Sequence, residues 1–101
     1  MNASLSQSEF RAYEPSNNFD ALVDVRSPEE YAEQHIPNSI NIPLADLSDA
    51  LPQFTQGASI LFICKSGLRS MKAVSFAKAV GFSNTKSLEG GIAAWSNYVS
   101  Q

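Results

Sequence analysis

SILFICKSGLRS, residues 59–70, changes character in its middle. From Ile60 to Cys64 every side chain is apolar, whereas Lys65 to Ser70 carry two cations, two serines and one glycine. A short, uniformly apolar run bounded by turn residues is the pattern of a strand covered on both faces. Beyond it, Met71, Val74, Ala77 and Val80 recur at helical spacing while Lys72, Ser75 and Lys78 take the opposite face. The predicted order is strand to about Cys64, loop over 65–69, and helix from about Ser70 to Val80, with Gly81 ending it in a left-handed turn. Such an order delivers the loop to the carboxyl edge of a parallel sheet, where open α/β folds bind ligands.

The rest of the chain repeats the alternation. "ALVDV" (21–25), "SINI" (39–42) and "TKSL" (85–88) read as further strands, with a weaker candidate at "ASL" (3–5). Ser6 with Glu9, and Ser27 with Pro28 and Glu30, have the spacing of capping boxes and mark helix starts. Strands alternating with helices predict an α/β domain with a largely parallel sheet. The 101 residues, 44% hydrophobic and 17% charged, suit a single domain spanning 1–101 with one core.

One cysteine excludes an internal disulfide and a cysteine-rich zinc site, and fits a reducing compartment. The start, MNASLSQSEF, lacks the cationic and apolar regions of a signal peptide, and no run reaches membrane-spanning length. The expectation is a soluble cytoplasmic protein with no membrane partner. The net charge of −3 argues against nucleic acid as a partner. Its distribution is uneven: residues 1–60 hold two cations against nine acids, and residues 61–101 hold five cations against Glu89 alone. A local positive field around the thiol points to a small anion.

A lone cysteine ending a core strand is commonly a small apolar filler. The glycine and two cations within five residues favour a reactive one. Free backbone N–H groups of a tight loop and of the following helix cradle negative charge, and the same field stabilises a thiolate, which is the nucleophilic form. Gly67 permits a positive φ or a close backbone approach, and Ser66 and Ser70 add hydroxyl donors.

"CKSGLRS" (64–70) resembles the active loop of single-domain rhodaneses, commonly written Cys-Arg-Ser-Gly-x-Arg-Ser. "LVDVRSPEEY" (22–31), "HIPNSINIPL" (35–44) and "LEGGIAAW" (88–95) resemble other segments of that family in the same order. The resemblance implies a rhodanese-like fold, with a central, mainly parallel five-stranded sheet and helices on both faces. It implies that Cys64 is catalytic and carries a sulfane sulfur as a persulfide, held by the loop from Lys65 through Ser66, Gly67, Leu68 and Arg69 to Ser70. Lys65 stands for the commoner arginine, and Gln34 and Asn38 stand where the family has glycines. Asp24 and Arg26 match the family's Asp-x-Arg; Asp24 is expected to be structural near the site, and Arg26 either a structural ion pair or a second anion contact. His35, Gly90, Gly91 and Trp95 are expected to be structural.

The reaction so implied is thiosulfate sulfurtransferase chemistry, from a small anionic sulfur donor to cyanide, a small thiol or a protein thiol. It needs no cofactor and no metal. Two alternatives stand beside it. One is a sulfur-relay or regulatory module loaded by a protein partner. The other is a phosphatase or arsenate reductase, whose loops enclose five residues between Cys and Arg where Cys64 and Arg69 enclose four.

Overall fold

The computed structural model of the chain describes residues 4–12 and 19–99. Five strands, β1 (Ser4–Leu5), β2 (Ala21–Asp24), β3 (Ile40–Asn41), β4 (Ile60–Ile63) and β5 (Thr85–Leu88), form one sheet in the order β1-β5-β4-β2-β3. All four pairings are parallel. The uniformly apolar run is the central strand, as its composition requires. The expected strand at 3–5 exists as Ser4–Leu5 at the edge, and Ala3 lies outside the described residues.

Alternation along β4 divides the core. Ile60, Phe62 and, just beyond the strand, Cys64 belong to one cluster with Val23, Leu47, Leu51, Val74 and Ala77. Leu61 and Ile63 belong to the other, with Leu5, Phe10, Leu22, Ile36, Leu88 and Ile92. Helices cover both faces: α1 (Gln7–Ala12), α2 (Pro28–Glu33), the single turn α3 (Leu47–Ala50), α4 (Leu68–Ala79) and α5 (Gly91–Val99). Among the described residues no helix is long and apolar enough to cross a membrane.

Both predicted capping boxes form. Ser6 and Glu9 exchange hydrogen bonds of 3.1 Å at the start of α1. Ser27 Oγ accepts from Glu30 N at 3.2 Å while Glu30 Oε1 accepts from Ser27 N at 3.1 Å, with Pro28 in the first turn of α2. Each pair satisfies two backbone donors that a helix start otherwise leaves free.

Two expectations for α4 need correction. The helix begins at Leu68, two residues before Ser70, because Gly67 adopts a left-handed φ of 110° and turns the chain directly into the helix. Its buried face is Ser70, Ala73, Val74 and Ala77, while Met71 and Val80 are largely exposed. Ala73 and Ala77 let the helix backbone approach the sheet closely, and that rotates the larger residues outward.

The strand order reverses direction beside the centre: β2 leads outward to β3, and the chain then returns to β4 on the other side of β2 before passing on to β5. The carboxyl ends of β2 and β4 therefore flank a switch point of the kind that opens a binding crevice. Since Phe62 is fully buried at the centre, Phe62→Ala is expected to cost about 3–5 kcal/mol in urea unfolding. Phe76→Ala, at a residue 38% exposed on α4, should cost far less; similar losses for the two would mean that β4 does not anchor the core.

Candidate active site

Cys64 leaves the carboxyl end of β4 with its thiol turned into the interior; the residue is 1% exposed. The next residues wrap around the sulfur. Gly67 N–H donates to Sγ at 3.0 Å, and Sγ lies 3.3 Å from Ser70 Oγ. The first N–H bonded within α4 is that of Met71, to Gly67 O at 3.1 Å. The N–H groups from Gly67 to Ser70 are thus the free donors of a helix start, beside the positive end of its dipole.

Two opposing effects act on the thiol. Burial raises its pKa, but hydrogen bonds from the Ser70 side chain and from the Ser70, Gly67 and Ser66 backbone lower it, and the net direction is down. Desolvation is outweighed by convergent donors, which is the environment of a reactive cysteine.

One of those donors, Ser66 N–H, is aimed from elsewhere in the chain. Ile92 N–H, in the first turn of α5, donates to Cys64 O at 2.8 Å, and Ala93 N–H donates to Lys65 O at 3.0 Å. In a planar trans peptide the C=O and the next N–H point in opposite directions. Pinning the Cys64 and Lys65 carbonyls toward α5 therefore turns the following amides inward, Ser66 N–H among those that lower the thiol's pKa. Gly91 makes the approach possible: a Cβ there would sit 2.1 Å from Cys64 O and 2.7 Å from Lys65 C, and its φ is +54°. The glycine pair was legible as a helix entry; its contact with the thiol-bearing segment was not.

The cations divide into paired and free. Arg26, 5% exposed, binds the fully buried Asp24: Nε lies 2.9 and 3.1 Å from the two carboxylate oxygens and Nη2 2.8 Å from Oδ2. Arg26 N–H adds a 3.0 Å bond to Oδ1, and Nη2 also donates to Gln34 O at 2.6 Å. Arg69 forms a bidentate pair with Glu30, Nη1 to Oε1 at 2.8 Å and Nη2 to Oε2 at 3.0 Å. The guanidinium, with help from Ser27 N–H, holds the Glu30 carboxyl down at about 2. Lys65 is exposed, and its side chain makes no hydrogen bond or ion pair with the described residues. Leu68, also on the loop, is 77% exposed.

A hollow of about 300 Å³ opens beside the loop, lined by Arg26, Glu30, Glu33, Gln34, Lys65 and Ile92. The two residues standing in place of family glycines fit without strain. Gln34 is extended at φ −166°, open to any residue, and Asn38 takes φ 71°, which asparagine tolerates better than most. His35 is exposed and stacks on Tyr31 at 3.9 Å between ring centroids. Trp95 packs half-buried against the second core cluster.

Gly91→Ala is expected to force the Cys64–Lys65 carbonyls from their α5 donors, adding about 1–3 kcal/mol of backbone strain to the steric cost. Urea unfolding and the rate of thiol alkylation should both register the change, and a variant with wild-type values in both would show that the carbonyl contacts do not organise the loop.

Residues 6–98 match the Rhodanese-like domain. The chain is 38% identical over 74 residues to the putative sulfurtransferase YtwF of Bacillus subtilis, covering 73% of this chain and 71% of that one. It is 36% identical over 87 residues to the thiosulfate:glutathione sulfurtransferase of Saccharomyces cerevisiae, covering 73% and 63%. Of several larger adenylyltransferase and sulfurtransferase relatives the chain spans only 20 to 24% of the length. Among solved structures, the human single-domain sulfurtransferase TSTD1 superposes with a TM-score of 0.87 at 26% identity, over 96% of this chain and 97% of that one. With one family running almost from end to end and its fold recurring in a solved sulfurtransferase, the chain belongs to the rhodanese-like domain family.

Proposed function

We propose that the protein is a sulfurtransferase that carries a sulfane sulfur on Cys64. The observation that carries this reading is the thiol itself, buried at the base of a loop with Gly67 N–H 3.0 Å from the sulfur and a lowered pKa. Sulfurtransferase relatives at 38% and 36% identity support the reaction class. Thiosulfate is the donor proposed here, and a relative named for transfer between thiosulfate and glutathione supports a small anionic donor and a thiol acceptor.

In the first step the Cys64 thiolate attacks the outer sulfur of thiosulfate. The sulfur–sulfur bond of the donor breaks and sulfite departs with its electron pair, leaving a Cys64 persulfide. Lys65 is the loop cation not committed to a carboxylate, so it faces the sulfonate together with the N–H groups at the start of α4. In the second step an acceptor thiolate, or cyanide, attacks the outer sulfur of the persulfide, and Cys64 leaves as the thiolate stabilised by the same donors. The charge leaves Cys64 Sγ in the first step and returns to it in the second, at the sulfur that accepts the Gly67 N–H.

A protein-partnered relay is the second reading. It is favoured by Leu68, whose exposed side chain beside the thiol suits contact with a partner surface, and by larger relatives in which such a domain is one part of the chain. Phosphate chemistry has less support. Only four residues separate Cys64 from Arg69, and the guanidinium that would clasp a phosphate is held by Glu30.

Incubation with thiosulfate is expected to add one sulfur atom to the intact protein by mass spectrometry, removed by cyanide as thiocyanate; Cys64→Ser should abolish both. Full turnover by that variant would sink the proposal. Rapid loading from a persulfide-bearing protein but not from thiosulfate would move the assignment to the relay. The lowered thiol pKa also has a pH signature. Its stabilisation of the fold is complete above the unfolded thiol's pKa and is lost as the pH falls through the lower folded value. Iodoacetamide alkylation of native protein should accordingly inflect at lower pH than that of the urea-unfolded chain, and an equal or higher inflection would show that burial prevails.

A further inference from the structure

Behind the thiol lies a chain of buried hydroxyls. Ser70 is 0% exposed in α4, and Ser87 is 1% exposed on β5, in register with Phe62 of β4. Ser70 Oγ stands 3.3 Å from Cys64 Sγ, 3.1 Å from the Gly67 carbonyl oxygen and 2.6 Å from Ser87 Oγ. Among the described residues Ser87 Oγ has no hydrogen-bonding partner besides Ser70.

A hydroxyl has one proton and two lone pairs, whereas a carbonyl oxygen and a thiolate only accept. Either serine could donate the short bond between them; Ser70 has two further acceptors in reach, Gly67 O and the sulfur, and Ser87 has none among the described residues, so the arrangement with Ser87 donating leaves neither hydroxyl proton without an acceptor. We propose that Ser87 is a positioning residue for the sulfur chemistry: by donating to Ser70 Oγ it fixes that oxygen where its proton can turn from the Gly67 carbonyl to the Cys64 sulfur. This rests on the sulfur-transfer reading and extends it to a residue that touches no substrate.

The hydrogen bonds balance in both ionisation states. As a thiol, Cys64 donates to Ser70 Oγ, Ser87 donates to the second lone pair, and the Ser70 proton lies on Gly67 O. When the thiol proton is lost to solvent, the Ser70 hydroxyl turns onto the thiolate, and Gly67 O keeps the Met71 N–H at 3.1 Å. Only a hydroxyl hydrogen moves, which is the low reorganisation required of a preset electrostatic donor.

The charged groups near the sulfur are Lys65 and Arg69 on its own loop, Glu30 of α2 paired with Arg69, and the Asp24–Arg26 pair following β2. Lys72 and Lys78 on α4 and Lys86 on β5 are the cations of the other packed elements, Glu89 follows β5, and Gly91 to Trp95 of α5 carry no charge. Removing the Ser87 hydroxyl alters none of them, so a changed thiol titration reports the hydroxyl chain.

The experiment measures iodoacetamide alkylation of Cys64 against pH in the full chain, for the natural protein, Ser87→Ala, Ser70→Ala, the double variant and Ser87→Thr. Ser87→Ala is expected to move the inflection upward and to slow alkylation below it roughly three- to tenfold, part of the effect of losing one charge-assisted hydrogen bond. The double variant should match Ser70→Ala, because Ser87 acts only through Ser70. Ser87→Thr, which keeps the hydroxyl donor and suits a strand, should recover part of the rate and secures the comparison if Ser87→Ala folds poorly. A Ser87→Ala profile like that of the natural protein, or an additive double variant, would overturn the proposal. Alkylation requires no sulfur donor, so failure of Cys64 to accept sulfur would leave this result standing as a separate one.

Discussion

The planarity of two peptide groups governs this site. Cys64 and Lys65 each present a carbonyl to the first turn of α5, and because a trans peptide points its N–H the opposite way, outward carbonyls mean inward donors. The Ser66 N–H, one of the donors that lower the thiol's pKa, owes its direction to that orientation. Gly91 leaves room for the carbonyls, and Gly67 turns the chain into α4 soon enough to add that helix's free N–H groups. The helix starts supply charge stabilisation without an ionisable residue touching the sulfur.

The cationic side chains play a different part from the amides. Arg26 is consumed by Asp24 and Arg69 by Glu30, which leaves the loop's full positive charge on the exposed Lys65. The uneven charge of the two halves of the chain thereby acquires a structural meaning. Glu30, from the acidic half, holds Arg69 from the basic half, and the same Oε1 caps α2 through Ser27 N. One carboxylate joins a helix terminus to the segment that wraps the thiol.

Much of this was readable in the sequence, and the exceptions share a cause. The central strand, both capping boxes and the loop were legible because each is decided by residues a few positions apart. The phase of α4 was not, since Met71 and Val80 are as apolar as Val74 and only the close approach of Ala73 and Ala77 to the sheet selects which ones are buried. Glu30 and Arg69 are 39 positions apart, and nothing local distinguishes that acid from Glu29 as a partner. Ser87 reads as an ordinary strand residue, because its importance comes from the hydroxyl it faces on α4. The amides of Ile92 and Ala93 leave no side-chain signal at all.

Topology also sets when the loop around Cys64 becomes organised. During synthesis Cys64 is made well before Ile92 and Ala93, whose amides hold the neighbouring carbonyls, and before Ser87, which stands behind Ser70. β1, although made early, pairs with β5 and must wait for it. A growing chain that has already formed β2 and β4 still lacks the α5 amides and the Ser87 hydroxyl. The contacts on the Cys64 and Lys65 carbonyls form only when α5 docks, so the geometry around the cysteine is itself a marker of completed folding.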